Sequence, residues 1–300
     1  ALCLAMMPQT ALAEAGSGNA AGGGEENVHA VAAQTTDDGN TSGAETAGGE
    51  NGNSSENCTH AQVTQNAENH NYYCEKCKKQ MFVKVKAADG TTTYGTDPAA
   101  AMKTAANGTT ITLLADIDNK ERYLSLTGNE KTVTLNLNGC TINGGNIKVG
   151  INEEWSAHTS STLKIVGSGS FKAKDGQINV GYNATLDLRN WGGGENDTII
   201  GVFLSANAAS AKLESTLLVE ENMKGTIEHL YFHKWPSRGI KSKLYGGTYG
   251  QILIDVQYDS EPFSSLLAPG YAFQYTDEAH KGEFVEYTKT ATKGDNTIHN

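Results

Sequence analysis

TVTLNLNGCTINGGNIKVG, residues Thr132–Gly150, contains two kinds of apolar step. In Thr134-Leu135-Asn136-Leu137 the leucines alternate with polar residues. After an Asn/Gly corner the alternation resumes as Gly145-Asn146-Ile147-Lys148-Val149. Alternation places every second side chain on one face of a strand. Asn and Gly suit the corners because they tolerate left-handed backbone.

Both steps recur. The first returns as Thr162-Leu163-Lys164-Ile165, Thr185-Leu186-Asp187-Leu188 and Thr216-Leu217-Leu218-Val219. The second returns as Gly176-Gln177-Ile178-Asn179-Val180, Gly201-Val202-Phe203, Gly225-Thr226-Ile227 and Gly250-Gln251-Ile252-Leu253-Ile254. Its glycines lie 31, 25, 24 and 25 residues apart. A short period carrying several strands, with no helix between them, predicts an all-β solenoid, a parallel β-helix. A β-sandwich with regular strand spacing is the competing architecture. Upstream, Asp97-Pro98 before AAAMKTAANG reads as an N-cap, a proline at the first helical position and a glycine stop. The predicted short helix would cover the open end of the first coil, where strand edges invite aggregation.

Composition divides the 300 residues further. Residues 1–13 hold an apolar run ending in Ala11-Leu12-Ala13, read as the remnant of a secretory signal peptide. Residues 14–57 carry eight Asp and Glu, no Lys or Arg and almost no aliphatic residue, which predicts a disordered acidic linker. That linker holds most of the formal net charge of −11. No basic block points to nucleic acid. No stretch has the ~20 apolar residues of a membrane helix. An exported monomer is expected.

Residues 58–86 form a separate element. The spacing Cys58-x-His60, then Cys74-x-x-Cys77, offers four ligands for a tetrahedral metal, which predicts a zinc-ribbon-like knuckle with structural zinc. His70 is the rival to His60. The alternative is a disulfide set that includes Cys140, because cysteines pair outside the cell.

DPAAAMKTAANGTTITLLADI, TVTLNLNGCTINGG and SSLLAPGYAFQY resemble segments of the β-helical repeat surface proteins exported by gut Gram-positive bacteria. The resemblance covers roughly residues 90–276. It implies a right-handed, pectin-lyase-like β-helix displayed at a cell surface. Residues 277–300, beyond the resemblance, read as a C-terminal extension. Proteins of that group often carry a similar C-x-H…C-x-x-C element, which supports the zinc reading. Fold alone does not settle activity.

For activity, a hydrolase needs two facing carboxylates, and a lyase needs a base with clustered acids. The acids between Asp175 and Asp255 show no recurring position on neighbouring coils and read as surface charge. His229, in Glu228-His229-Leu230, falls at the inward place of Val149 and Val180 and reads as a partly buried histidine. Trp155, Trp191 and Trp235 fall in turns or loops, with Tyr231 and Tyr249 nearby, so these five are the candidate ligand-binding aromatics. The expected function is a secreted or surface-bound adhesin or carbohydrate-binding protein without catalysis. Its expected partner is a glycan or a host surface protein such as mucin or immunoglobulin. A polysaccharide lyase or hydrolase on the same fold is the alternative.

Overall fold

The computed structural model describes residues 58–118, 123–152, 157–172, 176–194, 196–205, 215–221, 223–232, 242–254, 266–275 and 289–293. The expected signal-peptide remnant and acidic linker lie outside these residues. The described chain opens with three short strands, β1 (Val63–Gln65), β2 (Tyr72–Cys74) and β3 (Gln80–Met81), paired antiparallel. A hairpin follows, β4 (Val83–Lys86) and β5 (Thr92–Gly95), then helix α1 (Pro98–Thr104). Three coils of three strands each come next. They are β6 (Thr109–Leu113), β7 (Ile117–Asp118) and β8 (Tyr123–Leu126); β9 (Thr132–Asn136), β10 (Thr141–Asn143) and β11 (Asn146–Val149); β12 (Thr162–Gly167), β13 (Ser170–Lys172) and β14 (Ile178–Val180). Later coils have two strands: β15 (Thr185–Trp191) with β16 (Thr198–Leu204), and β17 (Thr216–Leu218) with β18 (Thr226–Phe232). The chain ends with β19 (Thr248–Ile254), β20 (Tyr271–Tyr275) and β21 (Lys289–Lys293).

These elements make a parallel β-solenoid of about five turns. The order β17-β15-β12-β9-β6-β4-β5 builds a seven-stranded sheet, parallel except for β4 and β5. A second stack runs β7-β10-β13-β16-β18-β19 and is extended by the antiparallel strands β21 and β20. The third, β8-β11-β14, merges with the second at β16, which pairs with β13 through Phe171↔Ile199 and with β14 through Ile178↔Val202. The corner between the second and third strands of a coil disappears there, so later coils need one long strand. Coil-to-coil pairing is parallel, which a sandwich of antiparallel sheets would not give.

The core is a set of columns. Val133, Leu163, Leu186 and Leu217 stack in register, and each is at most 1% exposed. Full burial of one such side chain contributes about 1.5–3 kcal/mol. The true register corrects part of the sequence alignment. Leu163 pairs with Val133, so the first copy of the Thr-Leu motif is Thr132-Val133, two residues earlier than the pattern suggests. A two-residue slip preserves the face. Gly225-Thr226-Ile227 stacks on Ile199, in the other half of the coil, and Leu230 stacks on Val202. One column therefore advances by 31 residues (Ile147 to Ile178), 24 (to Val202), 28 (to Leu230) and 22 (to Ile252).

The N-terminal end is closed as the sequence predicts. Asp97 Oδ1 accepts from the amides of Ala99 (2.9 Å) and Ala100 (3.2 Å), capping α1. Met102, 1% exposed, points from α1 into the core, and α1 packs against β8, which pairs on one edge with β11. Among the described residues no helix is long and apolar enough to cross a membrane.

Candidate metal centre

The strands β1, β2 and β3 are too short and polar to form a core alone. Cys74 and Met81 are buried together with Leu114, and Cys58, Val63, Tyr72, Cys77 and Tyr94 pack around them. Leu114 and Tyr94 belong to the solenoid side, so the knuckle borrows core from the first coil. Backbone bonds join the same parts: the Leu114 amide donates to Phe82 O, and the Phe82 amide donates to Gly95 O. Residues 83–86, grouped by sequence with the knuckle, form β4 of the solenoid sheet.

A tight turn aims the Cys-x-x-Cys pair. The Lys78 amide donates to Cys74 O and the Cys74 amide to Lys79 O, both at 2.9 Å. Lys78 takes the left-handed conformation (φ 58°) that such a turn requires. Cys58 and His60 come from the chain preceding β1, and His60 is itself left-handed (φ 50°).

The ligand atoms of Cys58, His60, Cys74 and Cys77 all lie within 4.8 Å of one another. Two edges of this tetrahedron are Cys58 Sγ–Cys74 Sγ and His60 Nδ1–Cys77 Sγ, each 3.4 Å. A tetrahedral ion with bonds of ~2.0–2.3 Å has edges of roughly 3.3–3.8 Å, so the group could hold a metal ion. Among the described residues it is the one such group. His70, the rival ligand, is not part of it; its amide donates to Asn66 O at the β1–β2 turn.

Electrostatics favour a thiolate at the centre. Burial pushes the Cys74 thiol up, but the amides of Cys77 and Lys76 and the side chains of His60 and Cys58 bring it down to about 6. At Cys58 the His60 amide favours the thiolate, yet burial and the thiols of Cys74 and Cys77 outweigh it and raise the value. Crowded thiols cannot all ionise without a cation between them. All four described cysteines are free, and Cys140 sits apart in a coil corner, with its sulfur 3.8 Å from Asn138 O.

Among the described residues, the aromatic candidates Trp191, Tyr231 and Tyr249 do not form a common exposed platform. Trp155 and Trp235 lie outside the described residues. Trp191 ends β15 with 3% exposure, and its Nε1–H donates to Gly169 O at 3.0 Å. Its ring lies against Gly225, where an added Cβ would fall 2.7 Å from Cη2. Tyr249 is fully buried because it continues the inward Ile199–Ile227 column, and its hydroxyl donates to Gly246 O. These two side chains are core, which corrects the expectation that they meet ligand. Tyr231 stacks on Phe203, ring centroids 4.7 Å apart and 9° from parallel, so one face of its ring is covered. His229 is exposed on the outer face, with Nδ1 3.1 Å from Gln251 Oε1; Leu230 takes the inward place that the sequence alignment gave it.

No known protein family, curated protein or solved structure matches the chain.

Proposed function

We propose that the protein acts outside the cell as a non-catalytic binding protein, an adhesin or carbohydrate-binding β-helix, with structural zinc in its knuckle. The observation that carries this reading is how the carboxylates are used. Both oxygens of Asp187 bind Arg189, at 2.9 and 2.7 Å. The two oxygens of Asp197 accept the amides of Gly169 and Gly194. Asp97 caps α1, and Asp116 accepts the Thr141 amide of the next coil at 2.7 Å. Glycoside hydrolysis needs two carboxyl groups facing one bond across a cleft. These four carboxylates are instead engaged within the fold: Asp197 and Asp116 tie successive coils, Asp97 caps the helix and Asp187 is clamped within its own strand.

A donor set of three thiols and one imidazole suits zinc, and four protein ligands leave no open position for a substrate or activated water. The resemblance of the coil motifs to exported surface proteins of gut Gram-positive bacteria supports an extracellular setting and a pectin-lyase-like, right-handed helix. The partner on this reading is a glycan. The test is a glycan array probed with the full chain, alongside incubation with unbranched polysaccharides to detect new reducing or unsaturated ends. Retention of glycans without cleavage is expected. Chain cleavage would overturn the non-catalytic reading.

A further inference from the structure

The seven-stranded sheet has one face in the core and one outside. Strands β5, β4, β6, β9 and β12 contain no aspartate or glutamate, in a chain of formal net charge −11. One outer row runs Lys86–Thr110–Thr134–Lys164, one residue per strand. A second runs Tyr94–Lys84–Thr112 beside it. None of these residues is buried. Neighbouring strands lie about 4.8 Å apart, so Lys86 and Lys164 stand roughly 14 Å apart with a hydroxyl on each rung between them. Lys84 and Lys86, two residues apart on β4, are about 7 Å apart. The next carboxylate along the first row is Asp187, in register with Lys164, and Arg189 clamps it.

We propose that this face binds a linear sulfated glycan lying across the strands, with sulfate esters at Lys84, Lys86 and Lys164 and sugar hydroxyls on the threonine rungs. The inference rests on the glycan-binding reading above and names its ligand class. Three features select that class. The one carboxylate in register with these lysines, Asp187 beside Lys164, is already clamped by Arg189, so the face keeps positive charge that attracts an anion. Hydroxyl rungs both donate to and accept from sugar hydroxyls. The cations are lysines, which act as point charges, whereas planar carboxylates are better matched by the fork of arginine. Tetrahedral sulfate needs no fork and remains ionised across the physiological pH range.

The test uses the full chain with dextran sulfate, dextran and polygalacturonate, titrated at low and high salt. Dextran sulfate should bind, dextran should not, and polygalacturonate should bind more weakly. The triple variant K84Q/K86Q/K164Q should lose about tenfold or more in affinity, and added salt should weaken wild type more than the variant. Lys224→Gln, an exposed lysine away from this face, should bind as wild type does. Circular dichroism and metal content check that the triple variant is folded. Equal binding by the triple variant and wild type, or polygalacturonate bound as tightly as dextran sulfate, would overturn the proposal. Array glycans bound without dextran sulfate would sink this inference alone; no glycan bound at all would sink the reading beneath it.

Discussion

The Nδ1 of His60 lies 3.4 Å from the Sγ of Cys77, across 17 residues of chain. The contact joins the segment entering β1 to the turn that leaves β2. Without an ion, this edge brings a ring nitrogen and a sulfur together for one weak hydrogen bond. With an ion it becomes one of six edges of a coordination tetrahedron.

Metal should therefore stabilise the knuckle by mass action. At free zinc about a hundredfold above Kd the gain is about 2.7 kcal/mol. Elemental analysis of purified protein should give one ion per chain. Cys58→Ser, Cys74→Ser and Cys77→Ser should each lose it, and Cys140→Ser should retain it. Hydrogen exchange in β1–β3 should quicken with a chelator while β9, β12 and β15 stay protected. Full metal content in Cys74→Ser would rule out the Cys₃His centre.

Trp191 should behave as a core residue. Trp191→Ala should destabilise by about 3–5 kcal/mol through the cavity it leaves. Trp191→Phe should cost less, about 1–3 kcal/mol, mainly because Gly169 O loses its buried donor. Chemical denaturation measures both. Glycan binding by the folded Trp191→Phe protein should equal that of wild type; loss of binding at unchanged stability would restore a ligand role.

The solenoid was legible because its apolar period repeats coil after coil, and the cap because Asp97-Pro98 is a local signal. The Cys58/His60/Cys74/Cys77 cluster was legible for the same reason: Cys-x-x-Cys is a turn whose geometry follows from its spacing. Coil register was not. Gly225 and Gly250 look equivalent in sequence, yet Gly250 follows Tyr249 in the Ile227 column while Gly225 precedes it. The extra residue in β15 illustrates the cause. Lys164 pairs with Asp187 and Val166 with Asn190, so β15 carries a bulge that no periodic pattern announces. Trp191 was misplaced by that residue, because past the bulge the inward parity resumes one position later. The knuckle's dependence on Leu114 and Tyr94 was hidden for another reason: the contact is long-range and apolar, and neither residue stands out locally.

Asp187 should make stability depend on acid pH. It lies between inward Leu186 and Leu188 and so faces outward, yet it is only 4% exposed because Arg189 covers it. Burial alone would raise its pKa, but the Arg189 side chain and amide, with Lys164 further off, hold the carboxyl below its usual value. A depressed carboxylate stabilises the fold above the unfolded value of about 3.9, and that contribution fades as pH falls through the folded value. Arg189 is half exposed, so solvent screening limits the pair to roughly 1 kcal/mol. Asp187→Asn should be less stable than wild type by that amount at pH 7 and should converge with it near pH 2. A constant difference at both pH values would assign the loss to packing.

His158 should add a second pH dependence, nearer neutrality. It pairs with Ile151 across a bridge, and its ring stacks on Tyr182 with centroids 3.4 Å apart. Its Nδ1 is buried without a hydrogen-bond partner. Gly181 makes the space: a Cβ there would fall 2.8 Å from Nδ1 and 2.7 Å from Ile151 Cγ1. Burial lowers the pKa below the usual imidazole value, because a protonated Nδ1–H would have no acceptor. The unfolded chain then takes up a proton before the folded one does, so stability falls as pH drops from about 6.5 toward the folded value. His158→Phe keeps a ring against Tyr182 and removes the proton site. Denaturation midpoints from pH 7.5 to 5 should therefore slope less in the variant than in wild type. Amide exchange at Thr159, bonded to Gly150 O, should quicken with acid in wild type alone, after correction for intrinsic rates. Equal slopes in the two proteins would place the titration at another histidine.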